Sequence, residues 1–224
     1  MKKLFIVLPF LLLATCTYPQ QVSQIYFPAG ASLSYISILV DNDVLIRITE
    51  DGKILEWGME VKSLRSDYYA PKLQPYLGRV DYYEPESDSA YRGKIKNIGT
   101  CTLTYYGHTE TDIKVGKIRS LGNLILDYYS NFDYATRKGK LRFIGNLILD
   151  YYSPAENEAY RDKLKSIGNT PITYYSTFDD KYIKGKIKSI GSVAYTWYSS
   201  FDLKSGLKSG LYRQNIGGIT YILQ

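Results

Sequence analysis

The chain has few of the residues from which most catalytic and metal sites are built. Its 224 residues include one histidine, two cysteines and two methionines. A metal site made of several histidines is therefore excluded, and a Ser-His-Asp arrangement would depend on His108 alone. The phosphate-binding pattern G-x-x-x-x-G-K-[ST] is also absent, because the Gly-Lys pairs of this chain lack its glycine spacing. These absences predict a protein that has no cofactor and is not an enzyme.

Long apolar runs are missing too, except at the N-terminus. Lys2 and Lys3 precede an apolar stretch over residues 4–13, which is the pattern of a secretory signal and is too short to cross a bilayer. We therefore predict a signal peptide over residues 1–17 and an exported protein that is periplasmic, anchored at the outer membrane, or secreted. Leu13-Ala14-Thr15-Cys16 resembles a bacterial lipobox, so Cys16 is a candidate lipidation site. Cleavage a few residues later, without lipidation, is the alternative.

Cysteine is too scarce to support the fold. Loss or lipidation of Cys16 leaves only Cys101, so no intramolecular disulfide can form. Cys101 aligns with Leu124, Leu147 and Val193 of later repeats, which predicts a small buried apolar residue rather than a reactive thiol. The two signal lysines account for two of the six net positive charges. The mild positive charge that remains permits attraction to anionic polymers.

What the sequence does have is a strict period of 23 residues. A segment of the form G-K-I-K-x-I-G is followed by a short apolar run and a pair of aromatic residues, five times in succession. The closing glycines are Gly99, Gly122, Gly145, Gly168 and Gly191. The aromatic pairs begin at Tyr105, Tyr128, Tyr151, Tyr174 and Trp197. In a chain with 24 tyrosines and 18 glycines, this period predicts tandem β-hairpins that bury one face against their neighbours.

Strand alternation assigns different roles to the two aromatic residues of each pair. Successive strand residues point to opposite faces of a sheet. The face that carries the first aromatic residue is apolar, whereas the other face is mixed. We therefore expect the first aromatic residue to point inward. The second is expected to point outward, at Tyr106, Tyr129, Tyr152, Tyr175 and Tyr198.

The strand before each closing glycine carries two basic residues around an apolar one. The pairs are Lys94 and Lys96, Lys117 and Arg119, Lys140 and Arg142, Lys163 and Lys165, and Lys186 and Lys188. The next apolar residue, Ile98 in the first unit, breaks the alternation by one position, which predicts a bulge or bend just before the glycine. The sequence leaves open whether the glycine then forms a tight turn or a corner.

Polar connecting segments join one unit to the next. Three of them contain the pattern Y-S-x-F-D, which ends at Asp133, Asp179 and Asp202. We expect the serine and the aspartate to form local turn hydrogen bonds and the phenylalanine to pack back onto the sheet. One aspartate in each loop is too few for a calcium site.

Composition and period together divide the chain into four segments. They are the signal at 1–17, an N-terminal β-meander with degenerate capping repeats at 18–90, regular repeats at 91–202, and closing strands at 203–224. The degenerate units carry the pairs Tyr68-Tyr69 and Tyr82-Tyr83. The predicted fold class is all-β, a tandem array of 23-residue β-hairpins in an open, curled antiparallel sheet, with a β-solenoid as the alternative.

Two resemblances accompany this pattern. The unit Tyr91-Arg92-Gly93-Lys94-Ile95 is similar to the MORN repeat, which has Tyr-x-Gly-x-aromatic at the same period and forms a long antiparallel sheet; here Ile95 stands in the place of the aromatic residue. The G-K-I-K-S-I-G units, as at residues 185–191, resemble those of uncharacterised exported bacterial proteins with Tyr-rich repeats. This second resemblance covers roughly half of the chain and implies no known activity.

For function, the sequence favours a surface over a catalytic site. If the basic pairs and the second tyrosines share one face, the sheet presents a regular row of cations and rings that suits an acidic glycan. We predict a non-catalytic exported envelope protein, a structural or binding platform whose partner is an anionic glycan or an envelope protein. Nucleic acid is not expected, and membrane contact is expected only through a lipid anchor. The alternative is a hydrolase that uses loop carboxylates; Asp127 and Asp150 recur at one repeat position, which favours a solvent face.

Overall fold

The computed structural model describes residues 20–41, 43–61 and 72–224. The predicted signal with Cys16, Asn42 of the first hairpin turn, and the Tyr68-Tyr69 pair lie outside the described residues. The described chain is all-β, as predicted, apart from one 3-10 turn at Pro28–Gly30. Its strands are β1 Gln21–Tyr26, β2 Tyr35–Asp41, β3 Val44–Ile48, β4 Ile54–Met59, β5 Gln74–Pro75, β6 Val80–Tyr82, β7 Ile95–Ile98, β8 Cys101–Tyr105, β9 Ile118–Leu121, β10 Leu124–Tyr128, β11 Leu141–Ile144, β12 Leu147–Tyr151, β13 Leu164–Ile167, β14 Thr170–Tyr174, β15 Ile187–Ile190, β16 Val193–Ala194, β17 Thr196–Trp197, β18 Leu207–Ser209, β19 Arg213–Ile216 and β20 Ile219–Ile222.

The repeats form an antiparallel sheet of eleven strands in which neighbours along the chain are neighbours in space. The order runs from β16 back to β6 without interruption, and β17 pairs separately with β18. The sheet is open, since β16 and β6 are its two edges. Consecutive antiparallel pairing is the pattern of a hairpin array, and it confirms this architecture over the coils of a β-solenoid.

Each hairpin turns on two residues, of which the closing glycine is the first. In the first unit Ile98 pairs with Cys101, which leaves Gly99 and Thr100 as the turn. The φ angle of Gly99 is 58°, and those of the equivalent glycines lie between 53° and 57°. A positive φ at the first turn position alone is typical of a type II′ turn, which favours glycine there and matches the twist of the strands. The closing glycine therefore forms a tight turn, not a corner.

The predicted bulge is confirmed in every regular unit. Between β8 and β9, Thr104 lies opposite Ser120 and Tyr105 lies opposite Ile118, so Arg119 is the extra residue. The same shift recurs where β6 meets β7, β10 meets β11, β12 meets β13 and β14 meets β15. The extra residue resets the alternation, so the apolar residues on both sides of the bulge are buried.

A second sheet of seven strands combines the two ends of the described chain. Its order is β19-β20-β1-β2-β3-β4-β5, and the pairing of β1 with β20 is parallel. The C-terminal strands, which the sequence places at the end of the repeat array, instead extend the N-terminal sheet. This sheet curls until Arg213 of β19 pairs with Glu60, just after β4, at 2.7 Å. The curl encloses Arg47, which is 1% exposed.

The seven-stranded sheet covers the apolar face of the repeat sheet. Buried side chains of both sheets form one cluster, in which Ile36 and Ile46 of the N-terminal strands join Leu126 and Leu149 of the repeats. The first aromatic residue of each pair lies in this cluster, as predicted. Packing between two sheets therefore buries the apolar face that the repeats cannot bury alone.

A turn of the N-terminal sheet reaches into the repeats. The backbone N–H of Leu141 donates to the carbonyl of Glu50 at 2.6 Å. Gly52, with a φ of 81°, lies against the hydroxyl of Tyr128, where a Cβ would come within 2.1 Å. Only glycine fits there, because both the backbone conformation and the space exclude a side chain. The turn thus fixes the position of β3 and β4 relative to the second and third hairpins.

Candidate ligand-binding cleft

The second tyrosines do not form an exposed row, so that prediction is wrong. Tyr106 and Tyr129 are buried, and Tyr152, Tyr175 and Tyr198 are partly buried. Each strand ends at the first aromatic residue, so alternation no longer governs the second. The chain bends there, and the ring turns toward the next repeat.

Hydrogen bonds explain why the second tyrosines are held in place. In four successive units the hydroxyl donates to a backbone carbonyl twenty residues later. These bonds run from Tyr106 to Leu126 (3.0 Å), Tyr129 to Leu149 (2.8 Å), Tyr152 to Ile172 (2.9 Å) and Tyr175 to Tyr195 (3.0 Å). Burial raises the pKa of Tyr106 and of Tyr152 to about 12. The second tyrosines therefore join repeats to one another.

The two cations of each basic pair contact different rings. The first lysine lies over the first aromatic ring of its own unit, half-buried. The distances to the ring centroids are 5.3 Å for Lys94 and Tyr105, 4.8 Å for Lys117 and Tyr128, 4.8 Å for Lys140 and Tyr151, 5.1 Å for Lys163 and Tyr174, and 4.6 Å for Lys186 and Trp197. Burial lowers the pKa of Lys94, Lys117, Lys163 and Lys186.

The second cation of each pair is exposed and covers a second tyrosine of the preceding unit. The distances are 5.8 Å for Lys96 over Tyr83, 5.8 Å for Arg119 over Tyr106, 6.0 Å for Arg142 over Tyr129, 5.3 Å for Lys165 over Tyr152, and 5.7 Å for Lys188 over Tyr175. The predicted face, on which both cations of each basic pair lie beside outward tyrosine rings, is therefore not formed. The bulge is the cause, because it separates the two cations of a pair.

The connecting loops confirm one prediction and contradict another. In the second unit the backbone N–H and the hydroxyl of Ser130 donate to Asp133 Oδ2 at 2.7 and 2.8 Å, as predicted. Phe132, however, does not pack onto the sheet. Its equivalents Phe178 and Phe201 are also almost fully exposed. The turn hydrogen bonds hold the phenylalanine outward.

A cleft opens where the Gly52 turn meets the first two repeats. It has a volume of about 480 Å³. Three lysines line it, Lys53 from the turn and Lys94 and Lys117 from the repeats, together with one carboxylate, Asp51. The rings at its walls are those of Trp57, Tyr82 and Tyr105.

The electrostatics of the cleft favour an anion. Its lining carries three cations and one carboxylate, and Asp51 already pairs with Lys53 at 2.8 Å. The Nζ atoms of Lys94 and Lys117 donate to the carbonyls of Gly116 and Gly139, which leaves each ammonium with further N–H donors. Because burial lowers their pKa, a negative ligand beside them would relieve an unfavourable desolvation.

A second depression continues from Lys117 along the row of first lysines. Its lining includes Lys138 and Lys140 and the carboxylates of Glu50 and Asp51. Lys140 pairs with Glu50 at 3.1 Å. Burial raises the pKa of Glu50 although the ammonium lies beside it. Because Glu50 already neutralises the charge of Lys140, the second depression attracts an anion less strongly than the first cleft does.

Residues outside the repeats are what the sequence analysis missed. Lys53 directly precedes β4, Trp57 lies in β4 and Tyr82 lies in β6. The 23-residue period does not connect these residues with Lys94 or Lys117. The available signal is compositional, a tryptophan and a lysine close to the turn at Gly52. Their convergence follows from the packing of the two sheets.

The candidate catalytic groups have structural partners. Asp127 pairs with Lys114 at 2.5 Å, and Asp150 pairs with Arg137 at 3.0 Å. His108 is an exposed loop residue beside Asp88, at 2.6 Å from its Nδ1 atom to Oδ2. Cys101 is buried in the core, as predicted.

Within the described ranges, no group of three or more histidine, cysteine, aspartate or glutamate side chains is arranged to hold a metal ion. Among these same residues no helix has the length and apolar character needed to traverse a bilayer. Comparisons of the chain with protein-family models, with curated proteins and with solved structures give no match. The contacts of the cleft are therefore the basis for a functional proposal.

Proposed function

We propose that this protein is a non-catalytic binding platform of the cell envelope that takes acidic saccharides in the cleft between its two sheets. The observation that carries the proposal is the convergence of Lys53, Lys94 and Lys117 with the rings of Trp57 and Tyr82 in one cavity. Lysine ammonium groups attract carboxylate or sulfate, and aromatic rings offer flat apolar surfaces to sugars. The pairing of several anionic groups along one polymer with several lysines adds avidity.

The construction of the cleft supports binding rather than catalysis. Its walls come from strands and tight turns that are held by backbone hydrogen bonds, such as those from the N–H groups of Gly52, Gly93 and Gly116, so little ordering is needed when a ligand enters. The loop carboxylates Asp133, Asp179 and Asp202 accept hydrogen bonds from their own serines. A hydrolase would need a pair of carboxyl groups with divergent pKa values facing its substrate, whereas Asp51 is the single carboxylate among the described residues that line the cleft. Glu50 and Asp51 do share the second depression, but each already pairs with a lysine, Lys140 and Lys53.

Location in the envelope is part of this proposal. The signal-like segment at residues 1–17 and the lipobox-like end at Cys16 support export, either as a lipoprotein or as a cleaved protein. An exported protein meets acidic glycans and envelope proteins, which are therefore its expected anionic partners. The hypothesis of a glycan ligand is retained from the sequence, but its site moves from the outer face of the sheet to the cleft.

A glycan-binding assay tests the proposal. The protein is applied to an array that holds uronic-acid and sulfated oligosaccharides beside neutral oligosaccharides of similar length, at low and at physiological salt. We expect binding to the acidic set alone, weaker at higher salt because counterions screen the lysines. Equal retention of neutral and acidic oligosaccharides, or no retention at low salt, would contradict the proposal.

A further inference from the structure

Three loops on one side of the repeat sheet present phenylalanine to solvent. The exposed fractions are 101% for Phe132, 95% for Phe178 and 92% for Phe201. An isolated exposed apolar residue needs no explanation, but three at one repeat position are a shared feature. They play no part in the cleft.

The same four-residue turn holds each of these rings outward. In the fourth unit the N–H and the hydroxyl of Ser176 donate to Asp179 Oδ2 at 2.6 and 2.8 Å, and the N–H of Phe178 donates to Ser176 Oγ at 3.2 Å. The last unit repeats these contacts between Ser199 and Asp202. These hydrogen bonds occupy the polar groups of the turn, so the phenylalanine is left at its tip.

The loops of the third, fourth and fifth units are tied to one another, which keeps the tips of Phe178 and Phe201 in line. The side-chain amide of Asn157 donates to Thr177 Oγ1 at 2.9 Å, and the N–H of Ser200 donates to Asp180 Oδ1 at 3.0 Å. Each repeat contributes two strands, so successive tips are about 10 Å apart. The three phenylalanines belong to the second, fourth and fifth units, so the row is on the order of 30 Å long.

Each tip combines the phenylalanine with a second exposed apolar side chain. These are Tyr134 (61% exposed), Tyr182 (59%) and Leu203 (107%). An exposed lysine stands in every one of these loops, at Lys138, Lys181 and Lys204. The aspartates of the turns accept hydrogen bonds from their serines, so the outward chemistry of the three tips is apolar and cationic. The third loop, between them, adds an exposed carboxylate at Glu158, which lies 3.8 Å from Arg161.

We propose that this row of loop tips docks on the surface of a lipid bilayer that contains anionic headgroups. Single rings separated by about 10 Å or more suit a bilayer, in which each ring enters the interface independently. Lysines beside them pair with anionic headgroups. Because the tips are about 10 Å or more apart, their rings do not form the continuous apolar surface that a protein partner would bury. This contact goes beyond a lipid anchor at Cys16 and does not depend on the glycan-binding proposal.

Vesicle binding of the full chain tests the inference. Phe132→Ser, Phe178→Ser and Phe201→Ser are combined in one variant. The control combines Ile125→Ser and Ile148→Ser, which are exposed on the sheet away from the loop tips. All variants keep the same N-terminal segment, so any vesicle binding by that segment is common to them. We expect the triple variant to lose at least about tenfold in affinity for vesicles of phosphatidylcholine and phosphatidylglycerol, and the control to bind as the unchanged protein does.

A fluorescence measurement locates the contact. In the Phe178→Trp variant, emission from the new side chain should shift to the blue when the mixed vesicles are added, and less with phosphatidylcholine alone. The difference from the parent protein removes the signal of Trp57 and Trp197. The inference is overturned if the triple variant binds vesicles unchanged, if the emission does not move, or if the phenylalanines instead drive self-association in sedimentation experiments.

Discussion

In the repeat sheet, buried hydroxyl and ammonium groups reach backbone carbonyls at fixed separations along the chain, whereas the seven-stranded sheet buries polar groups without any such pattern. Tyr105 and Tyr128 donate to the carbonyls ten residues earlier, at 2.9 Å in both cases. The first lysines of four units donate to carbonyls 22 residues later. One solution is thus copied from unit to unit.

The seven-stranded sheet is not built from sequence repeats, so its buried polar contacts do not recur. Arg47 of β3 is buried, pairs with Glu56 and lies 4.5 Å from the centroid of the Tyr35 ring. Gln24 Oε1 and Ser37 Oγ are buried beside it and have no hydrogen-bond partner in the described structure. The repeats thus reuse a few types of contact for their buried polar groups, with exceptions such as the Tyr151 hydroxyl, whereas the irregular sheet has no recurring contact for them. The two sheets should therefore respond differently to equivalent substitutions.

The largest effect is expected at Arg47. Arg47→Ala removes the buried guanidinium and leaves Glu56 without its partner, so the free energy of unfolding should fall by about 3 kcal/mol. Lys163→Ala, which removes a half-buried lysine of the repeats, should cost about 1 kcal/mol. Urea unfolding of the two variants provides the measurement. Similar losses in both would show that the two sheets do not differ in this respect.

The next effect concerns the turn that joins the sheets. Gly52→Ala adds a Cβ against the Tyr128 ring in a positive-φ conformation, so we expect a loss of about 3 kcal/mol from strain and overpacking together. Gly93→Ala is the matched control, because Gly93 has a φ of 72° and no atom within 4 Å of the added carbon. It should cost about 1 kcal/mol. Equal thermal shifts in the two variants would mean that the turn is not packed against the repeats.

A smaller loss of stability is expected for Tyr128→Phe than for Arg47→Ala and Gly52→Ala, and none for the equivalent Tyr151→Phe. Tyr128→Phe removes the hydroxyl that donates to the Ile118 carbonyl at 2.9 Å, which should cost about 1 kcal/mol. Tyr151 occupies the same repeat position, but its buried hydroxyl has no partner in the described structure. Tyr151→Phe should therefore be neutral or slightly stabilising in chemical denaturation. A loss at Tyr151 as large as that at Tyr128 would contradict the assigned hydrogen bonds.

The smallest effect is expected on how the free energy of unfolding falls at alkaline pH. Burial raises the pKa of Tyr152 to about 12, above its ordinary value of 10.0, so the folded chain keeps a proton that the unfolded chain loses. Stability should therefore be unaffected below pH 10 and fall as the pH rises from 10 to 12. Tyr152→Phe should make this decline shallower in unfolding curves recorded across that range. An unchanged slope would show that Tyr152 is not held in its protonated form.

The periodic part of the fold could be predicted from the sequence. Glycine spacing located the hairpins, although it left open a tight turn or a corner, and the break in alternation before Gly99 indicated a bulge or bend, because both patterns depend on neighbouring residues only. The inward position of Tyr105 and its equivalents followed from strand parity. Strand parity wrongly predicted an outward Tyr106, because that residue lies beyond the end of β8. The position of its ring depends instead on a hydrogen bond to a carbonyl of the next repeat.

The cover of the apolar face and the cleft could not be predicted. Both depend on the packing of the seven-stranded sheet against the repeats, and part of that sheet comes from the parallel pairing of β20 with β1, which joins segments almost 200 residues apart that no repeat relates. Tyr26 in β1 and Gln224 at the C-terminus, 198 residues apart, share a hydrogen bond. The cleft then arises where Lys53 and Trp57 of the irregular sheet meet Lys94 of the repeats. A period can indicate which lysines recur but not which of them faces a second sheet.

Calorimetric titration with an oligomer of galacturonic acid tests the central claim most directly. The double variant Lys94→Gln and Lys117→Gln removes two cations of the cleft. Its matched control is Lys163→Gln and Lys186→Gln, which changes the same repeat positions, also stacked on aromatic rings, at two lysines that do not line the cleft. We predict that the first variant loses at least about tenfold in affinity and that the second binds as the parent protein does. Equal losses in the two variants, or none in the first, would contradict the assignment of the cleft.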